Sequence, residues 1–144
     1  MAHYASIMLI AGIGIPILAA LNAALGKYLS SPTSAAAITF FIACFTCLVA
    51  MMATGPAQFN SILSAPRQYF VAGLLMAFYL LSITYIAPHF GVGNAIFYIL
   101  IGQLISAAMI DHFGLFGAQI SELDLKRTCG IVLMALGVWM ARQS

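Results

Sequence analysis

Apolar runs of about twenty residues follow one another along this chain, and each is almost free of charge. Lipid offers no partner to an unpaired backbone N–H or C=O, so such runs must cross a bilayer as helices that satisfy their own backbone. Five segments fit, at about residues 4–26, 35–54, 69–87, 94–112 and 128–141. The expected fold class is therefore an all-α membrane protein, a five-transmembrane-helix bundle in a single domain spanning residues 1–144. Composition agrees: 64% of residues are hydrophobic and 6% charged, against about 25% charged in a soluble domain. The first apolar run has no Lys or Arg ahead of it and exceeds a signal-peptide core in length, so it reads as an uncleaved first span.

The links are short. "SSPTS" turns the chain between the first two spans, and a longer polar link with Pro56 and Pro66 separates the second from the third. "PHFGVG" closes the third span, and "FGLFGAQISELDLKR" joins the fourth to the fifth. Arg127 and Arg142 flank the short fifth run, where long side chains can reach the headgroups. With five spans, Arg67, Lys126 and Arg127 fall on one side and Lys27 and Arg142 on the other. Orientation follows the excess of Lys and Arg in cytoplasmic loops. Three against two leaves two readings: the N-terminal side in the cytoplasm, or insertion both ways.

The first span is weakened by Gly12, Gly14, Pro16, Asn22 and Gly26. Gly12, Pro16, Ala19, Ala23 and Gly26 are spaced 4, 3, 4 and 3, which puts all five on one face. Small residues on one face let a second helix approach closely. Pro16 removes a backbone donor and favours a kink. Asn22 lies beside the stripe, and its amide must face protein or a wet cavity. The stripe is then either a tight packing surface with one satisfied amide or a cavity wall with Asn22 on the cargo.

In the third span, Phe78, Ser82, Tyr85 and His89 share a face, with Tyr79 beside it. Aromatic and hydroxyl groups together suit an amphiphilic ligand, and an interfacial aromatic belt gives the same pattern. The fourth span carries Tyr98, Gly102 and Ser106 on one side and Gln103, Ala107 and Asp111 on the next. Asn22, Tyr79, Ser82, Tyr98, Gln103 and Ser106 are the candidate substrate-binding residues. Asp111 is the only carboxylate within a span; it either couples an ion or anchors the helix end by pairing with Arg127 or Lys126. In the fifth span Gly130, Gly137 and Ala141 share a face suited to a helix contact, between subunits or within one bundle.

No catalytic arrangement of nucleophile and base, no nucleotide loop and no set of metal ligands stands in the sequence. Cys44-Phe-Thr-Cys47 has redox spacing but lies mid-span with no His near, where Cys packs as a small hydrophobe. No enzyme activity, cofactor or metal is expected. Nor is nucleic acid, since a net charge of +2 with no basic run offers phosphates nothing to track.

The segments "GIPILAALNAALGKYLSSPTSAAAITFFIACFTCL", "IDHFGLFG" and "KRTCGIVLMALGVWM" resemble the YdcZ-like members of the drug/metabolite transporter superfamily, in order and over nearly the whole chain. The resemblance implies a multi-pass protein of the bacterial inner (plasma) membrane, a five-helix unit equal to half of a ten-helix inverted-repeat transporter. Small multidrug resistance relatives dimerise antiparallel through a glycine-bearing last helix, which Gly130 and Gly137 resemble. Those relatives exchange protons on a glutamate in the first helix. Here the polar position is Asn22, which cannot cycle a proton. The expected partners are the lipid bilayer, a small organic or amphiphilic solute and a second copy of the chain in a homodimer. The rival reading is a non-transporting membrane subunit that needs a second polypeptide.

Overall fold

The computed structural model describes residues 2–55 and 64–141. Among them the chain forms five α-helices: α1 Ala2–Tyr28, α2 Pro32–Thr54, α3 Val71–Phe90, α4 Val92–Phe113 and α5 Leu125–Ala141. There is no strand among the described residues. Among the described residues four helical stretches are long and apolar enough to cross a membrane: His3–Tyr28, Pro32–Thr54, Arg67–Phe90 and Val92–Phe113. The fifth helix has 17 residues, about 25 Å of rise, against a hydrocarbon core of about 30 Å. Residues 56–63 of the polar link, including Pro56, and Arg142 beyond the fifth helix lie outside the described residues.

The helices run a few residues past the expected spans at several ends, for local reasons. α2 begins at Pro32 rather than 35 because Ser31, in extended conformation, accepts the Ser34 N–H at 3.2 Å and Pro32 needs no donor in the first turn. α3 continues through Pro88, where only a last-turn hydrogen bond is lost, and stops at Gly91, whose φ of +89° suits a residue without Cβ. A short 3-10 helix, Arg67–Phe70, leads into α3.

The chain divides into two compact units, Met1–Val92 and Gly93–Ser144. In the first, α1 packs on α2 and α3, and α2 packs on α3. The buried residues are Ala19, Asn22, Ala23 and Gly26 of α1, Ala35 and Ala36 of α2, and Leu80, Ile83, Thr84 and Ala87 of α3. These come from the second half of α1, the first of α2 and the second of α3. A Cβ on Gly26 would stand 3.2 Å from Thr84 Cγ2 and 3.4 Å from Pro32 Cα. All three helices close on that glycine.

The small-residue stripe of α1 is therefore used over only part of its length. Ala19, Ala23 and Gly26 are buried and Pro16 is half-buried, but Gly12 is exposed, with nothing among the described residues within 4 Å of a Cβ. Pro16 does not interrupt α1. In the second unit, α4 and α5 are joined by a link containing the 3-10 helix Leu115–Gly117. Gly114 turns that link at φ +59°, with Ile120 packed where a Cβ would be.

Candidate functional site

Asn22 sits at the centre of the first unit, 3% exposed. Its Nδ2 donates to Thr84 Oγ1 at 2.5 Å, and Thr84 Oγ1 donates in turn to the Leu80 carbonyl at 2.6 Å. Thr39 Oγ1 donates to Asn22 Oδ1 at 2.7 Å. One amide thus ties three helices together through a chain of bonds with a single donor sense, Thr39 to Asn22 to Thr84 to Leu80. Buried polar groups in an apolar setting are costly unless paired, and each pairing here fixes a helix against its neighbour. Beside this chain an open groove of about 250 Å³ is lined by Leu18, Leu21, Asn22, Leu25 and Thr39.

The other candidates of this unit lie elsewhere on α3. Tyr79 and Ser82 are half-buried, and the Tyr79 hydroxyl is shielded without a hydrogen-bond partner among the described residues. Phe78 and Tyr85 are exposed, and the Tyr85 ring leans on His89 with centroids 5.7 Å apart. That stripe therefore faces outward; the inward face of α3 is Leu80, Ile83, Thr84 and Ala87.

In the second unit Tyr98, Gln103 and Ser106 are exposed. Ser106 Oγ donates back to the Gly102 carbonyl at 2.9 Å, a local bond that satisfies the hydroxyl within its own helix. Phe97, Tyr98 and Ile101 of α4 and Val138 and Trp139 of α5 line a cavity of about 150 Å³. Gly130 is half-buried and Gly137 and Ala141 are exposed, and among the described residues nothing lies within 4 Å of a Cβ at either glycine.

Asp111 ends α4 in a knot of contacts. Its carboxylate pairs with the Arg127 guanidinium, which also donates to the Ser121 carbonyl at 2.8 Å. The Ser121 N–H returns to the Asp111 carbonyl at 2.9 Å, and the Leu123 N–H donates to His112 Nδ1 at 3.2 Å. Asp124 caps α5 by accepting the Arg127 N–H at 2.7 Å. Arg127, rather than Lys126, is the partner, because the cap at Asp124 sets the first turn of α5. The pair is partly exposed, and such pairs contribute about 0–1 kcal/mol. Asp111→Asn should therefore lower thermal stability by a few degrees at most. In proteoliposomes, solute uptake should persist in this variant; a pH-gradient-driven flux that vanishes in it would make Asp111 a proton carrier.

A family model described as "Putative inner membrane exporter, YdcZ" matches residues 3–140. The chain belongs to this family. Neither a curated protein nor a solved structure matches it. Membership in the YdcZ family, with four helices apolar enough to cross a bilayer, makes this a multi-pass inner-membrane protein of exporter type. The exporter description points to a transporter rather than an enzyme.

Thr39 and Thr84 are the residues that sequence reasoning passed over. A signal for Thr84 was present: Leu80, Ile83, Thr84 and Ala87 fall at i, i+3, i+4 and i+7, the spacing of one packed helix face. An asparagine in a span needs partners, and a threonine on a neighbouring packed face is the natural supply.

Proposed function

We propose that this chain is a half-transporter that exports a small organic or amphiphilic solute as an antiparallel homodimer. The observation that carries the reading is the match to the exporter family over residues 3–140. All five helices cross the membrane in this arrangement, and the unit is one half of a ten-helix inverted pair. Asn22, Tyr79 and Ser82 of the first unit and Tyr98, Gln103 and Ser106 of the second are the substrate-binding residues of this reading, and rocking of the two protomers exposes the solute to alternate sides. Reconstitution of the purified protein into liposomes tests this. Solute flux that depends on the protein alone supports it; flux that appears only with a second polypeptide favours the subunit reading.

The homodimer rests on two features. Lys and Arg are nearly balanced between the two sides, and among the described residues nothing stands within 4 Å of a Cβ at Gly130 or Gly137 of α5. Single cysteines placed at each terminus, with Cys44, Cys47 and Cys129 replaced, should react with an impermeant reagent in only part of the population at either end. Complete labelling at one end and none at the other rules out the antiparallel pair. Gly130→Leu combined with Gly137→Leu should leave a folded monomer in detergent, because close approach is lost without stranding a polar group. A dimer that survives both changes places the contact elsewhere.

A further inference from the structure

The groove beside Asn22 has a polar wall whose hydrogen-bonding capacity is half used. A primary amide offers two N–H donors and a carbonyl with two acceptor positions, and a hydroxyl offers one donor and two acceptor positions. Asn22 spends one N–H on Thr84 and one acceptor position on Thr39. Thr84 spends its proton on the Leu80 carbonyl, and Thr39 spends its proton on Asn22. Among the described residues one Asn22 N–H and the acceptor positions of Thr39 have no partner. Both residues line the groove, and its other lining residues are Leu18, Leu21 and Leu25.

We propose that this groove binds a neutral amphiphilic alcohol: its hydroxyl accepts from Asn22 Nδ2 and donates to Thr39 Oγ1, and its alkyl part lies along Leu18, Leu21 and Leu25. A hydroxyl is the smallest group that both donates and accepts, so it completes the pair without leaving a buried lone donor. The level in the membrane selects against charge. Asn22, Thr39 and Thr84 each lie six or seven residues from the helix ends at Tyr28, Pro32 and Phe90, about 9–10 Å by helical rise and so below the headgroups. All three carboxylates of the chain lie between positions 111 and 124, so α1–α3 hold no counter-ion for an ammonium. Lys27 is the nearest cation in sequence, but it is exposed at the end of α1, five residues from Asn22. A carboxylate at the level of Asn22 would be desolvated without it.

This inference deepens the proposed export and rests on that reading for its purpose, but its test reads binding without transport. The chain has three asparagines, Asn22, Asn60 and Asn94, so asparagine-selective ¹⁵N labelling in phosphatidylcholine nanodiscs resolves the Asn22 side-chain amide. Titration with 1-octanol should move that resonance to saturation. Octyl methyl ether, octylammonium and octanoate, at matched loading, should give only small shifts proportional to loading. Thr39→Val should raise the half-saturating 1-octanol loading about tenfold or more, from loss of the acceptor. Leu21→Trp should do the same by narrowing the groove, read against its own ligand-free spectrum; it serves where Thr39→Val folds poorly. A strictly linear response to 1-octanol, or saturation by octylammonium or octanoate, overturns the proposal. An unchanged titration in both variants also overturns it. Protein-dependent flux is measured separately in liposomes, so either reading can fail while the other stands.

Discussion

Gly26→Leu should abolish the folded protein. The site is closed by Thr84 Cγ2 and by the backbone of Pro32, with Ala35 Cβ at 3.8 Å. Backbone cannot move aside without opening the α1–α2 turn, where Ser31 N donates to the Gly26 carbonyl at 3.0 Å. Thr84 cannot move without breaking its bond to Asn22. Overpacking a closed site typically costs about 1–3 kcal/mol. Here it also disconnects the two side-chain hydrogen bonds, Asn22 to Thr84 and Thr39 to Asn22, that join α1, α2 and α3, so the expected loss exceeds that range and approaches the total stability of a marginal small fold. Gly12→Leu is the matched control in the same helix, because no described residue lies within 4 Å of a Cβ there. The expected readout is a monodisperse, protease-resistant species for Gly12→Leu and aggregate or degradation for Gly26→Leu. Equal tolerance of the two would mean that the three helices do not close on residue 26.

Asn22→Ala is expected to have the second-largest effect, and it separates positioning from coupling. The change removes two hydrogen bonds that join three helices. It leaves Thr84 bonded to the Leu80 carbonyl, so only Thr39 is released and no strongly polar atom is stranded. Loss of a buried, hydrogen-bonded amide costs about 1–3 kcal/mol, to be measured by denaturant unfolding in detergent. Where Asn22 also contacts solute, the same energy corresponds to a roughly five- to hundredfold fall in apparent affinity. The pH profile of flux should not move, because neither the amide nor the two threonine hydroxyls titrates in the working range. A shifted pH profile in Asn22→Ala would mean that the network feels a titrating group.

The Asp111 corner and the Asn22 network illustrate two different uses of polarity in a chain with so little of it. Asp111 and Arg127 are held at a helix end with side chains 30–37% exposed, where water screens them and the pair organises a link. Asn22 is buried among alanines, where an unpaired amide would be expensive and a paired one orders its neighbours. The groove gains its polar wall from the second case.

Much of this was legible in the sequence because lipid imposes it. Long uncharged runs must become helices, since only a helix satisfies its own backbone in hydrocarbon, and α1–α4 lie where the runs lie. The need of Asn22 for partners was legible for the same reason, and so was a packing face on α1. The partners themselves were not. Thr39 is 17 positions away and Thr84 is 62, and helical periodicity says which residues share a face without saying which faces meet. The stripe from Gly12 to Gly26 is uniform in sequence, but the tertiary fold buries only its second half, because α2 and α3 approach α1 there. The stripe of Phe78, Ser82, Tyr85 and His89 has the chemistry of either a ligand-facing surface or an interfacial aromatic belt. Which face of α3 is buried was decided by tertiary packing: it is that of Leu80, Ile83, Thr84 and Ala87, whose smaller side chains allow α1 to come close. Residue chemistry set what each helix can tolerate around it; only the meeting of faces decided which polar groups were satisfied and where a groove with spare hydrogen bonds was left.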